Sequence, residues 1–244
     1  MRLVSLAALA GLASTLATAA PQVITTCQLI NQPGSYVVDK NLTAAGDCIV
    51  IAADFVTLDL DGFVITGNGK SGAGVSELRG QPFRGITVRN GTITGFAQAI
   101  LLTKSTGTTV ERIHATANAD HAISLGDMAT VRSSVAIANG HDGIRVGQRG
   151  LVTGSNSEEN GGAGIRVDMG GNVIGNTVGR NKISGISTVE GASVINNVSR
   201  NNSSYGIFMD CPGLAMGNAT SNNLAGNFFD VSGGCVVETH NSTL

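Results

Sequence analysis

Large rings, prolines and charges are scarce in this chain. Its 244 residues hold no Trp, two Tyr, seven Phe and four Pro, and only 13% are charged, against about 25% in typical soluble domains. A net charge of −2 excludes the basic stripe that nucleic acid or an anionic membrane surface requires, so neither is expected as a partner. Past the first twenty residues no apolar run is long enough to cross a bilayer, which excludes a membrane span. The four Cys form no Cys-x-x-Cys pair and the four His do not cluster with them. These absences speak against a thiolate metal site, and no metal is expected. Gly, by contrast, is abundant at 34 residues, the composition of a chain with many turns.

Much of that chain repeats. Asn118, Asn139, Asn160, Asn181, Asn202 and Asn223 stand 21 residues apart, as do Ile123, Ile144, Ile165, Ile186, Ile207 and Phe228. Val110, Val131, Val152, Val173 and Val194 keep the same step, as do Gly143, Gly164, Gly185 and Gly206. A period this short with no helical pattern inside it implies a single-stranded solenoid of parallel β-coils, all-β, with about nine coils. No coil can bury its own apolar face, so the Val and Ile columns must stack into the core. The Asn column is expected at a bend, in left-handed backbone, with each amide bonding the next coil's Asn. Ser134, Ser155, Asn176, Asn197 and Asn218 form a second, shorter ladder. Asn197, Asn202 and Asn218 are thus expected to be buried, although Ser or Thr follows each at the glycan-acceptor spacing.

The organisation read from this frame is a secretory signal peptide over 1–20, an N-terminal cap over 21–54, the solenoid over 55–234 and a tail over 235–244. Arg2, an apolar run over 3–16 and the small-x-small Ala17-Thr18-Ala19 carry the first of these. The mature protein is expected to be secreted, extracellular or periplasmic. Residues 67–82 hold no periodic pattern and read as an insertion loop. The four Cys suit an oxidising compartment and allow three pairings. Cys27–Cys48 is favoured because both lie in the N-terminal segment before the regular coils, and Cys211–Cys235 because they stand one coil plus three residues apart; both would staple an end of the solenoid.

The asparagine ladders, the Cys-flanked cap, the run VTLDLDGFVITG at 56–67 and the repeated Asn-x-x-x-Gly-Ile coils resemble the right-handed parallel β-helix proteins of the pectate-lyase-like superfamily. That resemblance implies a right-handed coil. Its members include lyases, glycosidases, epimerases, phage tailspikes and noncatalytic surface proteins, so it implies an association with carbohydrate rather than one reaction. The Asn-Thr-Asp and Asp-Asp strings of the pectin hydrolases do not occur, nor does the Trp-Ile-Asp-His motif of pectate lyases.

One cluster of reactive side chains stands out. Asp120-His121 shares its frame positions with His141-Asp142 one coil on, so Asp120 should stack on His141 and His121 on Asp142. An imidazole beside a carboxylate suits proton abstraction near neutral pH. Arg145 and Arg166 follow in one outward column, placed to neutralise a uronate carboxylate, with Asp168 expected as the counter-ion of Arg166. Lys182 and Tyr205 lie further along the same side as candidate substrate contacts. Phe208 and Phe229 continue the outward column as a sugar platform or as an edge shield. The Asn-Gly-His-Asp-Gly-Ile coil at 139–144 is similar to coils of mannuronan C5-epimerases, in which Asp, His and Tyr act on alginate; their Asp-Pro-His triplet is absent here.

Two readings follow. The first is a noncatalytic exported monomer that binds or displays at a surface, toward acidic polysaccharide, and needs no cofactor. The second is a polysaccharide lyase or uronate epimerase using Asp120, His121, His141 and Asp142, with calcium as an option for a lyase. A groove along 120–170 walled by the 67–82 loop would favour the enzyme; a flat face with each Asp bonded to its neighbouring His would favour binding.

Overall fold

The computed structural model describes residues 20–69, 71–231, 233–237 and 242–243; apart from Ala20, the signal peptide read over 1–20 lies outside the described residues. The chain winds as a parallel β-solenoid. One coil consists of the strands Ile123–Leu125, Thr130–Arg132 and Val135–Ile137, and the next repeats them as Ile144–Val146, Leu151–Thr153 and Asn156–Glu158. Each strand pairs in parallel with its equivalent 21 residues on, as Ile123 with Ile144 and Val131 with Val152.

One wall is a ten-strand sheet with one strand per turn, giving about ten turns; the other two walls share a nineteen-strand sheet. The ten-strand sheet begins with Gln28–Ile30 and Ile49–Ile51, so residues from the N-terminal segment already pair with the coils that follow. At the other end, Val236–Val237 pairs with Leu214–Ala215, and Ser242–Thr243 with Ala219–Thr220. Disulfides join Cys27 to Cys48 and Cys211 to Cys235, with Cα separations of 4.4 and 5.0 Å. No helix among the described residues is long and apolar enough to cross a membrane.

The core is the set of stacked columns. Val110, Val131, Val152, Val173 and Val194 are fully buried, as are Ile123, Ile144, Ile165 and Ile186. The ladder runs as read: each Asn Nδ2 from Asn118 to Asn202 donates to the Oδ1 of the next Asn at 2.8–3.0 Å, and each backbone N–H of the same residues bonds that oxygen at 3.0–3.1 Å. In the second ladder Asn176 bonds Asn197, which bonds Asn218, both at 3.0 Å. Asn197, Asn202 and Asn218 are buried. The Gly column makes room for the first ladder, since a Cβ on Gly164 would lie 2.6 Å from Asn181 Nδ2 and 2.7 Å from the Gly185 carbonyl oxygen.

Two expectations change. The left-handed backbone falls on the residue before each ladder Asn (Ala117, Ala138, Glu159, Arg180, Asn201 and Asn222) and not on the Asn itself. Turning the corner one residue early leaves the Asn free to aim its amide along the solenoid axis. The non-Gly corner residues carry a cost of about 1–2 kcal/mol each, offset by N–H bonds to the following coil, such as Glu159 to the Gly179 carbonyl at 3.1 Å. The second change concerns 67–82, which contains the strand Ala73–Glu77 of the ten-strand sheet. All five of its residues are buried. Ala73 and Val75 join the core, and the Glu77 carboxylate accepts N–H bonds from Lys104 at 2.7 Å and Ser105 at 2.9 Å. Burial on both faces removes the polar–apolar alternation by which a strand is read.

Candidate functional site

The ten-strand sheet sets one outward residue of every coil above the next. Its register places Leu101 beside Ser124, Ser124 beside Arg145, Arg145 beside Arg166, Arg166 beside Ser187, Ser187 beside Phe208 and Phe208 beside Phe229. Just ahead of these strands, each coil turns in from its ladder Asn, and that turn carries Asp120-His121 and, one coil later, His141-Asp142.

His121 is the centre of this cluster. Its Nε2 lies 3.7 Å from Asp120 Oδ1 and its Nδ1 lies 3.6 Å from Asp142 Oδ2. His141 Nδ1 is 3.5 Å from Asp142 Oδ1, and the two imidazole rings meet edge to face with centroids 4.5 Å apart. The expected cross-coil pairing of His121 with Asp142 is present. Asp120, however, turns to its own neighbour His121 and to Gln98, whose Nε2 donates to Asp120 Oδ2 at 3.3 Å. The carboxylate–imidazole distances exceed those of ordinary hydrogen bonds, so the acids and rings do not satisfy one another. Instead, the Asp142 N–H donates to His121 Nδ1 at 3.2 Å, and Asp142 Oδ1 accepts from the Ala163 N–H at 2.8 Å. Burial holds the His121 pKa below the ordinary value of 6.5, aided by His141 and Arg145 and opposed by Asp120 and Asp142. The resting ring is therefore neutral at neutral pH.

Beside this ring lies a depression of about 400 Å³, lined by Asp120, His121, Ser124, Arg145 and Asp168 together with Gln98, Leu101 and Thr103. The described residues of 67–82 do not wall it; Arg79 and Gly80 border a smaller neighbouring hollow that shares Leu101 and Thr103. Among the described residues, Ser124 Oγ and Gln98 Oε1, on residues that line the depression, are buried with no hydrogen-bond partner, as is Asp142 Oδ2, which lies against His121 Nδ1. Each such atom costs about 1–3 kcal/mol. Arg145 and Arg166 stand exposed in adjacent strands. The salt bridge expected between Arg166 and Asp168 is absent, and among the described residues no ion pair involves Arg145, Arg166 or Asp168. Side chains two apart on one strand are separated by about 7 Å along it, too far for a direct pair unless one bends toward the other.

The other predicted contacts lie apart from the depression. Lys182 is exposed on the turn after Asn181 and does not line it. Tyr205 occupies the His121 position four repeats on, about 19 Å along the axis, and stacks on Phe229 with centroids 4.6 Å apart. Calcium, considered for a lyase, takes about six to eight oxygen ligands. The ligand atoms of Asp120, His121 and His141 lie within 4.8 Å of one another, but two imidazoles and one carboxylate do not fit that ion. Gln98 was missed because it sits 23 residues before His121, off the 21-residue frame. Ser124 follows a core Ile and could have been found from the outward column.

The chain belongs to the family of the right handed beta helix region, whose model matches residues 29–178. No curated protein matches it by sequence. Solved structures that share its shape include the A-module of the Azotobacter vinelandii mannuronan C-5 epimerase AlgE6, at 16% identity, TM-score 0.59, covering 79% of this chain and 67% of that one. The periplasmic alginate epimerase AlgG matches at 14% identity and TM-score 0.60, covering 88% of this chain and 76% of that one. Pectate lyase Pel9A matches at 13% identity and TM-score 0.56, covering 90% of this chain and 68% of that one. At these identities the likeness is one of fold.

Proposed function

We propose that this protein is an exported enzyme acting on an acidic, uronate-containing polysaccharide, and that His121 removes the proton at C5 of the sugar. The observation that carries this reading is a neutral imidazole at the edge of a depression beside two arginines that no carboxylate among the described residues pairs. Two disulfides and the polysaccharide-active epimerases and lyases of like fold support it.

The chemistry follows from the groups present. The C5 proton lies next to a carboxylate, and removing it puts further negative charge on that group. Arg145 and Arg166 would hold the carboxylate and oppose the charge. The Asp142 N–H donates to Nδ1, so the resting neutral ring carries its proton on Nε2; to act as base through Nε2 the ring must first take the other tautomer, with the proton on Nδ1. Nδ1–H then faces Asp142 Oδ2, the oxygen that has no other hydrogen-bond partner. Proton transfer makes an imidazolium flanked by Asp120 and Asp142, both placed to stabilise it. Loss of the 4-linked sugar from the carbanion gives a lyase; return of a proton from the opposite face gives an epimerase. Both reactions share this first step.

The test is incubation with pectate, alginate and a glucuronan, followed by absorbance of the unsaturated uronate and by NMR for epimerisation. His121→Ala should lower the rate by about 100-fold or more, and Asp142→Asn should lower it as well. Wild-type protein inert on every polymer would overturn the catalytic step. One observation favours binding without chemistry: the face's tyrosine, Tyr205, stands four coils from His121. That reading predicts polymer binding which His121→Ala leaves unchanged.

A further inference from the structure

The ten-strand face carries a second feature, four coils from His121, that the proton-transfer chemistry does not use. Tyr205, Phe208 and Phe229 stand together on its outward side. Phe208 and Phe229 stack at 5.4 Å with their planes 15° apart, and Tyr205 lies over Phe229 at 4.6 Å and 27°. None of the three belongs to the core; that place in the last strand of the sheet is taken by Phe228, which packs against the core from the other face. Phe229 remains 38% exposed. A shield for the solenoid end would cover the backbone edge of Gly226–Asp230, the last strand of the ten-strand sheet among the described residues. These rings instead rise from the face of the sheet, in the same outward column as Arg145 and Arg166.

We infer that this aromatic cluster is a distal sugar subsite, on which a pyranose ring of the same polysaccharide chain stacks. The inference rests on the acidic-polysaccharide reading and extends it to the length of chain recognised. Aromatic faces carry the negative part of the ring quadrupole, and the axial C–H groups on one face of a pyranose present the positive complement. A coil step of about 4.8 Å puts the Phe208 strand three steps from the Arg145 strand, roughly 14 Å, and the Phe229 strand one step further. An extended chain of linked pyranoses advances by a similar distance per sugar. A chain whose carboxylate sits at Arg145 therefore needs roughly three or four further sugars to reach the rings. Ser187, short and set between Arg166 and Phe208, leaves the path along the column unobstructed.

The inference is tested by calorimetry on the full chain with size-defined oligouronates, from two sugars to about eight. Wild-type affinity should climb once the oligomer spans Arg145 to Phe229. Phe208→Ala combined with Phe229→Ala should remove that gain, about tenfold, and leave binding of the shortest oligomers within twofold. Phe229→Leu, which keeps apolar bulk and guards against misfolding, should also lose most of it. A double variant that binds long chains as tightly as wild type would overturn the subsite alone. Wild type that binds no oligouronate of any length would overturn both the subsite and the reading beneath it. A concentration-dependent dimer abolished by the double variant would assign the rings to a second copy of the chain and overturn the inference.

Discussion

Charges stack in successive coils at two places on this solenoid, with opposite results. On a wall of the nineteen-strand sheet, Asp59, Arg89, Glu111 and Arg132 lie side by side, alternating in sign. Arg89 pairs with Asp59 at 2.8 Å, and Glu111 pairs with Arg132 and, at 2.9 Å, with Arg112. Asp59 is partly buried, which would raise its pKa, yet bonds from the Asp61 N–H, Asn90 and Arg89 bring it below the usual carboxylate range. On the ten-strand sheet, Arg145 and Arg166 are equally adjacent, have the same sign and form no ion pair among the described residues. The repeat imposes stacking on every outward residue, so a fold selected only for stability would alternate the signs, as the first wall does. Like charges set side by side are mildly destabilising. Their presence next to a neutral His and a depression is what the proposed polysaccharide reading explains.

That contrast can be broken or sharpened. It depends first on a ten-strand face held in place from below by the Asn ladder. Gly164→Ala, which drives a methyl into the Asn181 amide, should cost about 3 kcal/mol, measured by urea unfolding. Glu111→Gln removes the carboxylate between two arginines on the paired wall. It should cost about 2 kcal/mol and leave polymer binding and turnover unchanged; a stable variant would mean that the paired wall is not structural. The third test uses pH. The unfolded His121 ring takes up a proton near 6.5 while the folded ring resists it below that value. Stability is thus full above about 6.5, falls as pH drops beneath it and levels off below the folded pKa. His121→Gln should flatten that loss, and wild-type turnover should persist somewhat below pH 6.5 before it falls. The smallest effect belongs to Arg145→Ala and Arg166→Ala, whose stability should stay within about 0.5 kcal/mol of wild type. Their polymer affinity should fall and lose part of its salt dependence. A clear drop in melting temperature for either would give the arginines a structural role.

Residues that obey the 21-residue step were legible in the sequence. The ladder, the Val and Ile columns and the His121–Asp142 contact all follow from it, because a parallel register turns a fixed sequence distance into one coil step. What escaped lies off that step or is silent in composition. Gln98 reaches Asp120 across a coil of irregular length, where counting by 21 fails. Ala117, Glu159 and Arg180 turn corners in left-handed backbone without being residues that announce it, since the cross-coil bonds, and not their own preferences, hold them there. The strand Ala73–Glu77 hid because it is covered on both faces. Asp168 was assigned to Arg166 on proximity in sequence, which along a strand is a separation rather than a contact.

The strict register described for the coils has a consequence for how such a molecule could change. Deleting or duplicating one 21-residue unit, such as 171–191, would leave every neighbour contact replaced by its equivalent and both disulfides intact. Only the distance between the arginines and the aromatic rings would alter, by one coil step. If the proposed subsites hold, the solenoid would act as a ruler whose graduations are repeats, and the chain length recognised could be reset without touching a residue at either end.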